Sequence, residues 1–320
     1  MQTSTRTYSN AVAASANIKP TCTLSFSPLT LDTIPLVAPL LQRAPWRTCD
    51  YSVGGIYMWV DYFNYEYCIY RNTLFICGLD EHDRRHPAFA VPVGDLPLSE
   101  SVGLLQEYCD AHNCRLLFSA VPRPAVQDLL NAGATQVELL DSWGDYLYDA
   151  RALATLEGKA YNKKRNHVNR FMQDNPDWRL EELNESNLAE TSAFLADLPV
   201  VEKADEAEAQ FERDQCARVL DYYGCYGFEG AVLRGAGGHI VAFTCAEVIG
   251  DTAVIHIEKM DHSVSGAGES INRMFAQRLL ERHSQLRYLN REDDAGDPGL
   301  RRAKESYHPV EILAKYNVAF

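Results

Sequence analysis

The sequence predicts an α+β protein made of two consecutive domains of one architecture, divided near residue 150. Three observations point there. The chain has 320 residues, room for two domains of ordinary size. Hydrophobic residues make up 46% and charged residues 23%, the balance of a globular chain. One order of elements also occurs twice: helices, three strands, helix, strand, helix. No residue-level repeat accompanies it, so the same order also admits one large α/β domain.

In the first half, "LDTIPLVAPLLQR" (31–43) has the spacing of a short amphipathic helix. The runs "YEYCIYR" (65–71), "TLFICG" (73–78) and "AFAVPV" (88–93) read as strands. "LSESVGLLQEYCDAHN" (98–113) is helical, with Ser99 as expected N-cap. "CRLLFSAV" (114–121) is a strand, and "RPAVQDLLNAG" (123–133) is a helix between Pro124 and Gly133. "TQVELL" and "DYLYDA" close the half. In the second half, helices are expected at 159–174, 186–197 and 204–223, and strands at 230–234, 239–248 and 252–260. A helix at 268–283, a strand at 286–290 and a helix at 298–306 follow.

The formal net charge is −14, which argues against nucleic-acid or anionic-membrane binding by the whole surface but leaves room for a local basic site. Nine scattered cysteines without a CxxC pair fit reduced thiols. Residues 1–24 carry no signal-peptide core and are expected to be flexible, and no run is long enough for a membrane span. These features predict a soluble cytoplasmic protein. His82 and His86 have no third ligand at useful spacing, so no metal site is expected.

Against that acidic background, "GKAYNKKRNHVNRF" (158–171) holds Lys159, Lys163, Lys164, Arg165 and Arg170 with no acid. Tyr161, Val168, Phe171 and Met172 form its apolar stripe, and Lys164 and Arg165 fall on that stripe. Lys163, His167 and Arg170 lie on the neighbouring polar face. Cations on a core-facing side need an anion, a carbonyl cage or a wet cleft. Two readings follow. One is ion pairing with residues 181–229, which hold 13 acids and 3 bases. The other is a site for an anionic substrate, with Arg as a bidentate fork and Lys as a point charge. In the arrangement expected here, Lys164 and Arg165 point at the acidic strands "HIEK" and "NREDD". Lys163, His167 and Arg170 then border a cleft between the halves.

Three stretches carry a family resemblance: "LATLEGKAYNKKRNHVNRF", "IVAFTCAEVIGDTAVIHIEKMD" and "YLNREDDAGDPGLRRAKESYHPVEILAKY". With "PLTLDTIPLVAPLL" and "YMWVDYFNYEYCIYRNTLFI" they make nearly everything after residue 25 resemble a bacterial family related to the C-terminal catalytic domain of phosphatidylglycerol lysyltransferases. The resemblance implies tandem GNAT-like acyltransferase domains over 25–150 and 151–320, each a mixed central sheet flanked by helices, with the active cleft in the second. It implies transfer of an aminoacyl group from aminoacyl-tRNA to an amine or hydroxyl acceptor. The sequence lacks the membrane-spanning portion of the lipid enzymes, and Ser306 stands where they tend to carry a basic residue.

A GNAT fold opens between its fourth and fifth strands, here 252–260 and 286–290. Strict alternation puts Ile255, Ile257 and Lys259 on one side and His256 and Glu258 on the other. His256 or Glu258 is then the candidate base for an acceptor amine; the structural alternative for Glu258 is a salt bridge to Arg165 or Lys164. Gly266 and Gly268 precede a helix whose free amides could hold a phosphate, but Ser263 stands where coenzyme A enzymes have Gln or Arg. In "NREDDAGDPGLRRAKESYHP", Asp297 is the expected cap of a helix beginning at Pro298. The resemblance makes Lys304 the group that stabilises the donor phosphate or the oxyanion. Asn290, Arg291, Arg301 and Tyr307 complete the donor-binding set. No tightly bound cofactor or metal is expected. Acyl-CoA is the alternative donor, and a binding protein without catalysis is the alternative class.

Overall fold

A computed structural model describes residues 23–199 and 206–320. The flexible stretch expected over 1–24 falls almost wholly outside them, as does the expected helix start at 204. The eight described cysteines are free thiols.

The molecule is α+β, with two mixed sheets flanked by helices, as expected of tandem GNAT-like domains. The first sheet runs in the order Ser27–Pro28, Glu66–Tyr70, Thr73–Leu79, Pro87–Phe89, Leu117–Pro122, Lys315–Ala319, Gln136–Leu139, and Val93–Gly94 adds to Thr73–Leu79. The second runs Glu311–Leu313, Asp145–Asp149, Tyr288–Asn290, Thr252–Met260, Ile240–Ile249, Glu229–Arg234, Arg179–Glu182. Each has one parallel pair near its middle, Pro87–Phe89 with Leu117–Pro122 and Thr252–Met260 with Tyr288–Asn290.

The sheets do not part at residue 150. Asp145–Asp149 belongs to the second sheet, between Tyr288–Asn290 and Glu311–Leu313. Lys315–Ala319, at the C-terminus, belongs to the first, between Leu117–Pro122 and Gln136–Leu139. The halves exchange one strand each, beside their parallel pairs. The sequence reading missed Lys315–Ala319 and Glu311–Leu313 altogether, because both are short and follow a turn-rich stretch.

The layers follow from period-two patterning. Phe75 and Cys77 face a core with the helices Leu98–His112 and Arg123–Asn131, while Leu74 and Ile76 face the other way. That opposite face packs into a core shared by both halves, where Val37, Ile56 and Tyr57 meet Cys216, Val219, Phe243 and Ile257. The second sheet's outer face carries Ala150–Thr155, Asn162–Asp174 and Ala267–Arg282. Each fully buried large side chain in these cores contributes about 1.5–3 kcal/mol. The cap expected at Ser99 moves to Pro97, and the helix starts at Leu98. Asp297 does cap Pro298–Glu305, accepting from Leu300 N at 2.6 Å.

Candidate active site

The parallel strands of the second sheet pair only from Thr252↔Tyr288 to Val254↔Asn290. Beyond that they diverge, and the side chains that follow line the opening. A β-bulge sits there. Cys245 pairs with Ile257 and Ala246 with Ile255, leaving His256 as the extra residue. A bulge lets two successive side chains take the same face. Ile255 accordingly packs in the outer core and Ile257 in the shared core. The strict alternation expected from sequence is therefore wrong at this point, and Glu258 and His256 lie on opposite faces.

On the outer face, Glu258 is held by Arg291 Nη2 at 2.7 Å and by Asn272 Nδ2 at 3.2 Å. Thr244 is its cross-strand neighbour. Arg291 Cζ lies 4.9 Å from the Tyr307 ring centroid and 5.8 Å from that of Tyr148. Lys164 Nζ lies 3.9 Å from the Tyr307 centroid and 3.6 Å from Glu269 Oε1. Burial lowers the pKa of Lys164, and Glu269 offsets part of that. Three buried polar atoms here have no hydrogen-bond partner: Arg291 Nη1, Asn272 Oδ1 and Thr244 Oγ1. All three belong to residues that bond or flank Glu258. Buried polar atoms are rarely left unpaired, so these three can each take a further polar group or a water.

Lys304 is buried beside this constellation, and its Nζ donates to Arg291 O at 2.6 Å and to Asp293 O. Burial lowers its pKa, opposed by Asp293. Its ammonium thus shapes the turn after Tyr288–Asn290 by holding two carbonyls. Arg301 pairs with Asp294, which also accepts from Tyr146 Oη at 2.6 Å. The helix ends at Glu305, so His308 does not continue the face that carries Arg301 and Lys304.

On the inner face, His256 has no exposed side-chain surface. Its Nδ1 is 2.8 Å from Glu292 Oε1 and its Nε2 is 3.5 Å from Glu247 Oε2. Phe228 stacks on the ring at 5.0 Å. Glu247 also accepts from Val53 N at 2.7 Å and Gly54 N at 3.3 Å, tying the halves together. A Cβ on Gly54 would lie 2.4 Å from the His256 ring, so only glycine fits. Burial pushes the His256 pKa down, but the two carboxylates outweigh it and hold it up at about 9. A folded-state pKa above the unfolded value of about 6.5 gives stability that is fully present below about pH 6.5. That stability is lost as the pH rises through about 9. The shift corresponds to on the order of 3 kcal/mol. Between about pH 6 and about pH 10 the loss of stability to urea should be smaller in His256→Gln than in wild type by about that amount, because the buried thiols titrate alike in both.

The remaining sequence candidates are dispersed. Arg165 turns back to the carbonyls of Leu156 and Gly158, the latter at 2.8 Å, and to Asn162 Oδ1. It braces the end of Ala150–Thr155, where a cation also suits the helix dipole. Neither it nor Lys164 reaches the acidic strands, which corrects that expectation. Lys163 and Arg170 are exposed, Arg170 pairing with Asp174. Their helix lies on the outer layer, away from the core between the halves. His167 is half-buried, and its carbonyl would lie 2.3 Å from a Cβ on Gly266, whose φ is +79°. Met260 fills the space over Gly268, and Glu269 occupies the first turn of Ala267–Arg282.

Asn290 leads from this site to the seam between the sheets. It is fully buried, accepts from Glu292 N at 2.7 Å, and donates to Arg47 O at 2.7 Å and Asp145 Oδ2 at 2.8 Å. Asp145 and Lys315 head the two exchanged strands, and Lys315 Nζ is 2.7 Å from Asp145 Oδ1. The same ammonium lies 2.9 Å from Asp50 Oδ2 and 3.3 Å from Cys49 Sγ. Among the described residues, Cys49, Asp50 and Asp145 form the grouping with metal-ligand character, and Lys315 already sits at its centre. Burial holds the Cys49 thiol well above its ordinary pKa, so it is no ready thiolate ligand. This seam was not visible to sequence reasoning, because its members lie up to 266 positions apart.

Comparison with known proteins adds to this geometry. Residues 42–319 match the family model described as phosphatidylglycerol lysyltransferase, C-terminal. A conserved protein of unknown function from Bacteroides thetaiotaomicron VPI-5482 is 29% identical, with a TM-score of 0.85 over 93% of this chain and 99% of that one. The C-terminal domain of a putative lysylphosphatidylglycerol synthetase from Agrobacterium fabrum shares the fold at 16% identity, with a TM-score of 0.63 over 90% of this chain and 91% of that one. An uncharacterised protein of Mycoplasmoides gallisepticum is 25% identical over 185 residues, 57% of this chain, and the match spans 58% of that relative's length. No described helix is long and apolar enough to cross a membrane.

Proposed function

The chain belongs to the phosphatidylglycerol lysyltransferase C-terminal family, and from that premise we propose that it transfers an aminoacyl group from aminoacyl-tRNA to an amine or hydroxyl acceptor. The observation that carries this reading is the set of unpaired buried polar atoms around Glu258 where the second sheet opens. The acceptor nitrogen or oxygen attacks the carbonyl carbon of the aminoacyl ester. Its proton passes to Glu258, which must first let go of Arg291. The ester carbon–oxygen bond breaks, and the ribose oxygen takes that proton from Glu258 and leaves as a hydroxyl, which restores the carboxylate. Arg291, through its free Nη1, offsets the negative charge on the carbonyl oxygen. Lys164 at the half-buried rim meets the donor phosphates. Lys304 positions the Arg291 turn. The filled space over Gly268 and the Glu269 carboxylate in the first helical turn favour this donor over acyl-CoA.

Thermal-shift titration with charged tRNA, uncharged tRNA and acetyl-CoA tests the donor. A ligand at about 100 times its Kd adds about 2.7 kcal/mol, which at about 2–4 °C per kcal/mol for a large domain is a rise of about 5–11 °C. Charged tRNA should shift the protein more than uncharged tRNA. A shift with acetyl-CoA alone would replace the donor. A shift with charged tRNA but no transfer of labelled amino acid to any amine would leave a binding protein.

A further inference from the structure

The first sheet repeats the geometry of the second. Its parallel strands meet at Phe89↔Phe118 and then diverge, as those of the second sheet do beyond Val254↔Asn290. Two residues past each last contact the chain turns left-handed, at Ala120 with φ +52° and at Glu292 with φ +54°. Ala120 therefore corresponds to Glu292, and Ser119 to Arg291. In the second half those two long side chains occupy the opening with their ion pairs. In the first half, small Ser119 and Ala120, with Ala90 opposite, leave a cavity of about 30 Å³, room for one water-sized group. A left-handed alanine inside a strand is costly, and such conformations gather at functional sites.

The walls of this cavity have a definite chemistry. Phe63, Tyr65 and Trp143 line it, with the Phe63 ring 5.3 Å from Tyr65 and 6.1 Å from Trp143. Asp50 supplies its charge. Its Oδ2 lies 2.9 Å from Lys315 Nζ. Lys315 is shared with Asp145, so two carboxylates divide one ammonium and a negative charge is left over beside the cavity. An anion would be repelled there. A divalent metal ion would need more oxygen ligands than Asp50 offers. A carboxylate among aromatic rings suits an organic cation.

We propose that this cavity in the first half binds a primary ammonium group, the head of a free amine or amino acid, with Asp50 as its counter-ion and Phe63, Tyr65 and Trp143 around it. The rim residues are half-buried, so the rest of such a ligand extends to solvent. The site is separate from the Glu258 constellation and does not rest on the transfer reaction.

Calorimetric titration of the whole protein with propylammonium chloride tests this, in about 0.15 M salt to screen the acidic surface. Saturable one-to-one binding is expected, and 1-propanol, uncharged and of equal size, should bind at least tenfold more weakly. Asp50→Asn should weaken propylammonium binding at least tenfold. Ala90→Leu fills the cavity with Asp50 intact and should abolish binding, which keeps the test decisive should Asp50→Asn fail to fold. Glu258→Gln should bind propylammonium as wild type does, whatever its effect on transfer. No saturable binding, equal binding of 1-propanol, or unchanged binding by Ala90→Leu would overturn the proposal.

Discussion

Replacing Lys315 with methionine should destabilise the protein by about 3–5 kcal/mol, the cost of breaking a buried ion pair by removing one partner. Lys315 is 1% exposed and Asp145 not at all, so water cannot take over the lost contact. The loss strands Asp145 and Asp50 together. Because Lys315 and Asp145 head the exchanged strands, the damage reaches both sheets. Adding Asp145→Asn to Lys315→Met should recover part of the loss, and a double-mutant cycle from urea unfolding measures how much. A cost below about 1 kcal/mol for Lys315→Met would mean that the cluster is not what joins the sheets.

Glu258→Gln should lower transfer about 10²–10⁴-fold while leaving donor binding in place, the range for losing a positioned general base. Glutamine can still accept from Arg291 through its one carbonyl oxygen, and its amide can donate to Asn272 once that side chain turns its Oδ1 inward, so folding should be little affected. The readout is single-turnover transfer of labelled amino acid from charged tRNA, with the thermal shift as the control for binding. Transfer within a few-fold of wild type would make Glu258 a strut for Arg291 and remove it from the chemistry.

Much of the fold was legible because its signals are local. The helix Leu98–His112 and the strand Thr252–Met260 appear where spacing put them, since periodicity depends only on near neighbours. The candidate site was half legible. Glu258, Arg291, Tyr307, Lys164 and Lys304 do come together, whereas Arg165, Lys163, Arg170 and Arg301 serve turns, solvent or Asp294. A run of cations declares its charge, but not which carbonyl or carboxylate each will find.

By itself the sequence determined the alternation of helices and strands, the repeated order, the cap at Asp297 and the family pattern, all properties of adjacent residues. Tertiary structure alone decided the exchange of Asp145–Asp149 and Lys315–Ala319, because a strand's partner is chosen by closing long loops onto a buried face. It also decided the face of His256. One extra residue in the pairing of Thr252–Met260 with Ile240–Ile249 undoes a period of two, and nothing in the run "VIHIEK" announces it. It decided, too, that Lys315 would be a buried cation, since the carboxylates that hold it belong to segments distant from it in the chain.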